Sequence, residues 1–131
     1  MPTNKELMTS IFDELAKANG RPFVEALADD VVWRSIGSHA WAGRFEGKEA
    51  IVDQIFRPLR ERIGVPTTRA RRIIADGDIV VVQANGENVT AEGTPYCNDY
   101  CFVYRLKDGK IVEVEEYLDT ELVTSALGAR A

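Results

Sequence analysis

One histidine, two cysteines and two methionines leave this 131-residue chain short of imidazole and sulfur ligands. His39 stands alone, Cys97 and Cys101 have no zinc-type spacing, and the acids are scattered, so no metal site is expected. The two cysteines are read on one strand with Cα atoms ~13 Å apart, beyond disulfide reach, as reduced packing residues. No glycine-rich phosphate loop leads into a helix, and Ser10 and Ser38 lack a base–acid pattern around them. The expected cofactor is therefore none. No run approaches the ~18 apolar residues of a membrane span. "MPTNKELMTS" has no signal-peptide core, which makes the cytoplasm the default expectation. Positive charge is also scarce: 16 Lys and Arg against 21 Asp and Glu give a net charge of −5. That balance disfavours nucleic acid and membrane as partners. Arg57, Arg60, Arg62, Arg69, Arg71 and Arg72 form a local exception, read as solvated or subunit-facing surface rather than an anion site.

What is present suits one globular domain over residues 1–131, with 45% hydrophobic and 28% charged residues. Thr3 and Glu6 form a capping box ahead of a stripe of Leu7, Ile11 and Leu15, and Gly20 suits the position past the helix end. A short helix is expected from Pro22 to Ala28 and a strand at 31–36. The loop at 37–47 is rich in glycine and aromatics, and a helix over 48–62 carries Pro58 near its end. Strands follow at 68–75, 78–91, 96–106 and 110–119, with turns at Asp76-Gly77 and Lys107-Asp108-Gly109, and the tail from Thr120 reads as a short helix that frays. Helices followed by antiparallel strands give an α+β fold, the helices packed on one face of a curved sheet.

The last hairpin raises the functional question. Asn98, Tyr100, Phe102, Tyr104 and Leu106 share one pleat face, and Val112, Val114, Glu116 and Leu118 share another. A two-residue turn would pair even with odd positions; a three-residue loop with Gly109 left-handed pairs even with even and unites the apolar faces. The three-residue loop is therefore expected, and Glu116 becomes the one acid facing the core. A carboxylate there costs several kcal/mol unless paired, so a raised pKa and a general acid or base role are expected. On the strand at 78–91, Gln83, Asn85 and Glu87 oppose the face of Val80, Val82 and Ala84. Apolarity does not choose between them; turning the polar set inward would supply Glu116 with a partner.

The stretch "GRFEGKEAI" and the closing "NDYCFVYRLKDGKIVEVEEYLDT" resemble the SnoaL-like branch of the nuclear-transport-factor-2-like superfamily, over nearly the whole chain. That superfamily includes ketosteroid isomerases, limonene epoxide hydrolases and polyketide cyclases. The resemblance implies a cone-shaped, cystatin-like α+β barrel. Its curved mixed sheet would wrap the N-terminal helices around an apolar pocket, and a homodimer would form through the sheet's outer face. The isomerase's base aspartate would fall at or near Arg34, its oxyanion-hole tyrosine at about Phe12 and its protonated aspartate at Phe102, so that chemistry loses its groups. The epoxide hydrolase pattern matches Glu116 and Glu87 to its two aspartates and Asn85 to its arginine.

The segment "WRSIGSHAWAG" holds Trp33, His39 and Trp41, and in related folds it lines or covers the cavity mouth. His39 is a candidate second proton carrier. Trp33 is either a core plug or a ligand contact, and pleat alone does not say whether it or Arg34 faces inward. The functional expectation is a cofactor-independent isomerase, cyclase or epoxide-hydrolase-like enzyme acting on an apolar cyclic substrate. Glu116 and Glu87 would be catalytic, with Trp33, His39, Trp41, Asn85, Asn98, Tyr100 and Phe102 around the substrate. The competing expectation is a noncatalytic carrier or sensor of a small apolar ligand, or a dimeric interaction module.

Overall fold

The computed structural model of the chain describes residues 2–129. Met1, Arg130 and Ala131 lie outside them, and with them the expected fraying of the last two tail residues. The capping box forms as the sequence predicts. Glu6 N–H donates to Thr3 Oγ1 at 3.1 Å and Thr3 N–H to Glu6 Oε1 at 2.9 Å, opening α1 (Asn4–Leu15). The helix ends before the expected glycine. Ala18 takes the left-handed turn at φ 62°, and Gly20, at φ −87°, caps α2 (Arg21–Ala26) instead.

The strands are β1 (Leu27–Ser35), β2 (Gly43–Glu46), β3 (Thr68–Asp76), β4 (Ile79–Gly86), β5 (Asn88–Val89), β6 (Pro95–Tyr96), β7 (Asp99–Lys107) and β8 (Lys110–Leu118). Six of them form a curved, open sheet in the order β2-β1-β8-β7-β4-β3, with β5 and β6 as a separate ribbon. The β1–β8 pair is parallel and every other neighbour antiparallel, so the sheet is mixed. Leu27, Val31, Trp33 and Ser35 alternate inward on β1, as Val80, Val82 and Ala84 do on β4. These side chains meet Met8, Ile11 and Phe12 of α1 and Phe23 of α2 to form the core. Cys97 falls between β6 and β7 rather than on the strand of Cys101, and both thiols are free.

Between β2 and β3 runs α3, residues 48–63, whose middle turn Val52–Phe56 is a π segment. Pro58 explains it. Its ring lacks an N–H and clashes with the carbonyl four residues back, so the chain widens by one residue ahead of it. Arg57 N–H accordingly donates to Val52 O, five residues back. The last helix, α4 at 120–127, starts at Asp119, whose carboxylate accepts from the N–H groups of Glu121 and Leu122.

The β7–β8 hairpin departs from expectation in its mechanism and agrees in its outcome. Asp108 (φ 51°) and Gly109 (φ 76°) form a two-residue turn, closing the pair Lys107 and Lys110. Immediately beyond it, Leu106 pairs with Ile111 but Arg105 with Glu113, leaving Val112 as one extra residue. That bulge restores even-to-even pairing, so Tyr104 opposes Val114 and Phe102 opposes Glu116.

Candidate active site

The curved sheet and the helices do not close on one another completely. Between them lies a cavity of about 580 Å³, a volume suited to a drug-sized molecule. Its walls are aromatic and aliphatic: Phe12 from α1, Phe23 from α2, Ile55 and Phe56 from the π segment, and Trp33, Tyr100, Phe102 and Tyr104 from the sheet. The rings are packed against one another. Tyr100 and Phe102 stack at 5.0 Å, and Trp33 meets Phe56 edge-on at 5.5 Å.

Among the described residues, Glu116 is the one acid in this lining. It is half-buried and also lines a second, smaller cleft of about 40 Å³. The parallel β1–β8 register sets Ser35 beside it, and Ser35 Oγ–H donates to Glu116 Oε1 at 3.0 Å. Burial drives the Glu116 carboxyl from its ordinary 4.5 up to about 7, against the opposing pull of the Ser35 hydroxyl and the Trp33 indole. The Trp33 N–H exerts that pull without completing a hydrogen bond, and is otherwise buried and unpaired. Burial likewise holds Tyr100 and Tyr104 well above the ordinary tyrosine range, with the Glu116 charge adding to the effect. Both phenols thus remain protonated hydrogen-bond donors at neutral pH. An acid poised near neutrality, in apolar walls with phenolic donors on the same sheet face, is equipped to move a proton on a bound organic molecule.

The structure brings Glu116, Trp33, Tyr100 and Phe102 together and disperses the other expected site residues. Glu87 is exposed on the far side of the sheet and paired with Arg69 at 2.9 Å. Asn85 is also on that side, bonded to the Asp99 carboxylate. The correction follows from pleat: β4 turns its small apolar residues inward, where helices must pack, and its polar set outward. The two-carboxylate arrangement matched to epoxide hydrolases is therefore not assembled. At the isomerase positions stand Phe12 and Phe102, both on the cavity wall, and Arg34, which points outward to Glu115 at 2.9 Å.

Asn98 is buried away from the cavity. It donates to Tyr96 Oη at 3.1 Å and to the Asp119 carbonyl at 3.2 Å, and accepts from Asp119 N–H at 2.9 Å, clamping the two ends of the hairpin together. Trp41 donates from Nε1 to the Gly128 carbonyl at 2.8 Å and plugs a second apolar cluster with Val123 and Leu127. His39 accepts the Trp41 N–H through Nδ1 at 3.2 Å, and both residues reach only the smaller cleft that Glu116 also lines. The arginine cluster also separates: Arg57 pairs with Asp53, Arg69 with Glu87, and Arg62 lies over the Trp41 ring.

Ser35, Tyr104, Phe23 and the π-segment pair Ile55 and Phe56 are site residues that the sequence reading did not select. Ser35 carries a usable signal, since it stands two residues from Trp33 and so on the same pleat face. Its meeting with Glu116 needs a parallel pairing between residues 81 positions apart, which no local pattern encodes. Among the described residues, no group of three or more His, Cys, Asp or Glu could hold a metal ion, and no helix is long and apolar enough to cross a membrane.

Residues 8–114 match the profile of the SnoaL-like domain. The chain belongs to the SnoaL-like family. Among curated proteins nothing matches. Solved structures similar to this SnoaL-like chain include an NTF2-like protein of unknown function from Burkholderia pseudomallei K96243, at 19% identity and TM-score 0.82, covering 98% of this chain and all of that one. A protein from Jannaschia sp. CCS1 assigned as a SnoaL-like polyketide cyclase shares 21% identity at TM-score 0.75, over 95% and 90% of the two chains. TerC, co-crystallised with polyporic acid, shares 20% identity at TM-score 0.77, over 95% and 97%. At these identities the likeness is one of fold.

Proposed function

We propose that this SnoaL-like chain binds a small, mainly apolar cyclic molecule in the 580 Å³ cavity and acts on it by proton transfer at Glu116. The observation that carries the reading is a lone carboxyl at the apolar floor of an open pocket, with a pKa near 7 and Ser35 fixing one of its oxygens. The polyketide cyclase assignment and the polyporic acid complex among the similar structures are in keeping with such a ligand.

In this reading Glu116, as the ionised base, takes a proton from an activated carbon of the substrate. Negative charge develops on the substrate oxygen conjugated to that carbon, and Tyr100 or Tyr104 donates a hydrogen bond to it. Glu116 then returns its proton at a second carbon, giving isomerisation, or the carbanion adds to a carbonyl carbon of the same molecule, opening its C=O π bond to an alkoxide that takes the proton back from Glu116, giving intramolecular cyclisation. Ser35 holds the carboxylate in one orientation and favours its charged form. Water addition to an epoxide is the weaker variant, because among the described residues no second carboxylate lines the cavity.

The test is turnover of a panel of cyclic enones and polyketide-like esters by the wild-type chain and Glu116→Gln. Loss of proton transfer in the variant by about 10²- to 10⁴-fold, with ligand affinity retained, is expected. Binding without turnover, indifferent to that substitution, would leave a carrier and not an enzyme.

A further inference from the structure

The cavity's mouth has a chemistry that its floor does not. Its exposed lining lies at the α1–α2 corner, the end of α3 and the segment leading into β3, where Asn19, Arg21, Arg60 and Val65 are exposed and Pro66 and Thr68 half-buried. Two of these are arginines, both exposed, and none is an acid; the one carboxyl among the described lining residues, Glu116, is half-buried on β8. On a chain of net charge −5, a mouth whose charged side chains are both positive runs against the overall balance. Arg60 has no ion pair among the described residues. Arg21 reaches Glu25 at 3.5 Å, but both side chains are well exposed, at 82% and 67%, and such a contact in water leaves the guanidinium available.

A wholly apolar ligand gains nothing from guanidinium groups at the entrance. A ligand with an acidic end does, because the guanidinium fork matches a carboxylate and the apolar walls focus its field. We propose that the mouth is an organic-anion subsite: Arg60 and Arg21 hold the acidic end of an amphiphilic substrate whose cyclic body fills the aromatic cavity and presents its reacting carbon to Glu116. This rests on the functional reading above and narrows its substrate class to cyclic organic acids.

A matched pair of probes tests it on the full chain by fluorescence titration: 1-anilinonaphthalene-8-sulfonate, an anion, and N-phenyl-1-naphthylamine, the same rings without the charge. The sulfonate is expected to bind more tightly, and its affinity alone should fall as salt rises. Arg60→Gln should weaken it by about three- to tenfold, Arg60→Gln with Arg21→Gln by more, and Arg60→Lys should restore most of the loss. The neutral probe should stay within about twofold throughout. Equal binding of both probes, insensitive to salt and to the arginines, would overturn the subsite and leave the cavity and its acid standing. Equal weakening of both probes by Arg60→Gln would also overturn it, as a packing effect. Failure of either probe to enter the folded chain would overturn the subsite together with the cavity reading on which it rests.

Discussion

At Glu116 the cost of burial and the proposed function are two views of one shift. With the folded pKa raised from 4.5 to about 7, the native state binds more protons than the unfolded chain between those values. Stability from this group is thus full below about pH 4.5 and is lost as pH rises through about 7, at ~1.4 kcal/mol per unit, or about 3 kcal/mol in all. Urea denaturation at pH 5 and pH 8 should show most of that decrement, about 2.5 kcal/mol, in the wild type and not in Glu116→Gln. If the two chains change alike, the carboxyl is not buried as described. For a general base, kcat/KM should rise with pH to a plateau with a midpoint near 7. Ser35→Ala, by removing a hydrogen bond that favours the charged form, should move that midpoint upward by about half a unit to one unit. An unmoved midpoint would mean that Ser35 does not contact the base. Glu116 was legible because a lone acid interrupts an apolar pleat face; Ser35 was not, because its partner strand is distant and parallel.

Among elements, the hairpin shows how a correct outcome can rest on a different device. Periodicity on β7 and β8 demanded even-to-even pairing, and that demand was readable. Whether a longer loop or a tight turn with a bulge met it was not, since both conserve parity. Gly109, at φ 76°, is central to the turn, and Gly109→Ala should destabilise the chain by about 1–2 kcal/mol in denaturant without altering the Glu116 titration. A changed titration would mean that the turn and not the bulge sets the register. In α3 the sequence placed Pro58 near a helix end, and the structure instead carries it within the helix behind a π turn that aims Ile55 and Phe56 at the cavity. Pro58→Ala removes the reason for that turn. Ligand affinity should drop while thermal stability holds or rises, and unchanged affinity would show that the π segment does not shape the pocket. On β4 two faces were equally readable, and burial against α1 decided between them, which is tertiary information.

For the molecule as a whole, composition, the order of helices and strands, and the closing motif were sufficient to specify an α+β SnoaL-like fold, whereas the cavity's contents depended on how distant elements meet. The outer face of the sheet carries Val81, Val103 and Cys101, all half-buried, beside Tyr117 at 43% exposure. Our proposal is that a second copy covers this face, so sedimentation equilibrium should report a dimer that Val103→Lys with Tyr117→Lys converts to monomer; a monomeric wild type would refute it. The central claim concerns one carboxyl in one cavity. Its most direct test is a ¹³C NMR titration of the Glu116 side-chain carbon in the intact chain, assigned by its loss in Glu116→Gln. A midpoint near pH 7 is predicted, and a midpoint in the ordinary glutamate range near 4.5 would contradict the account.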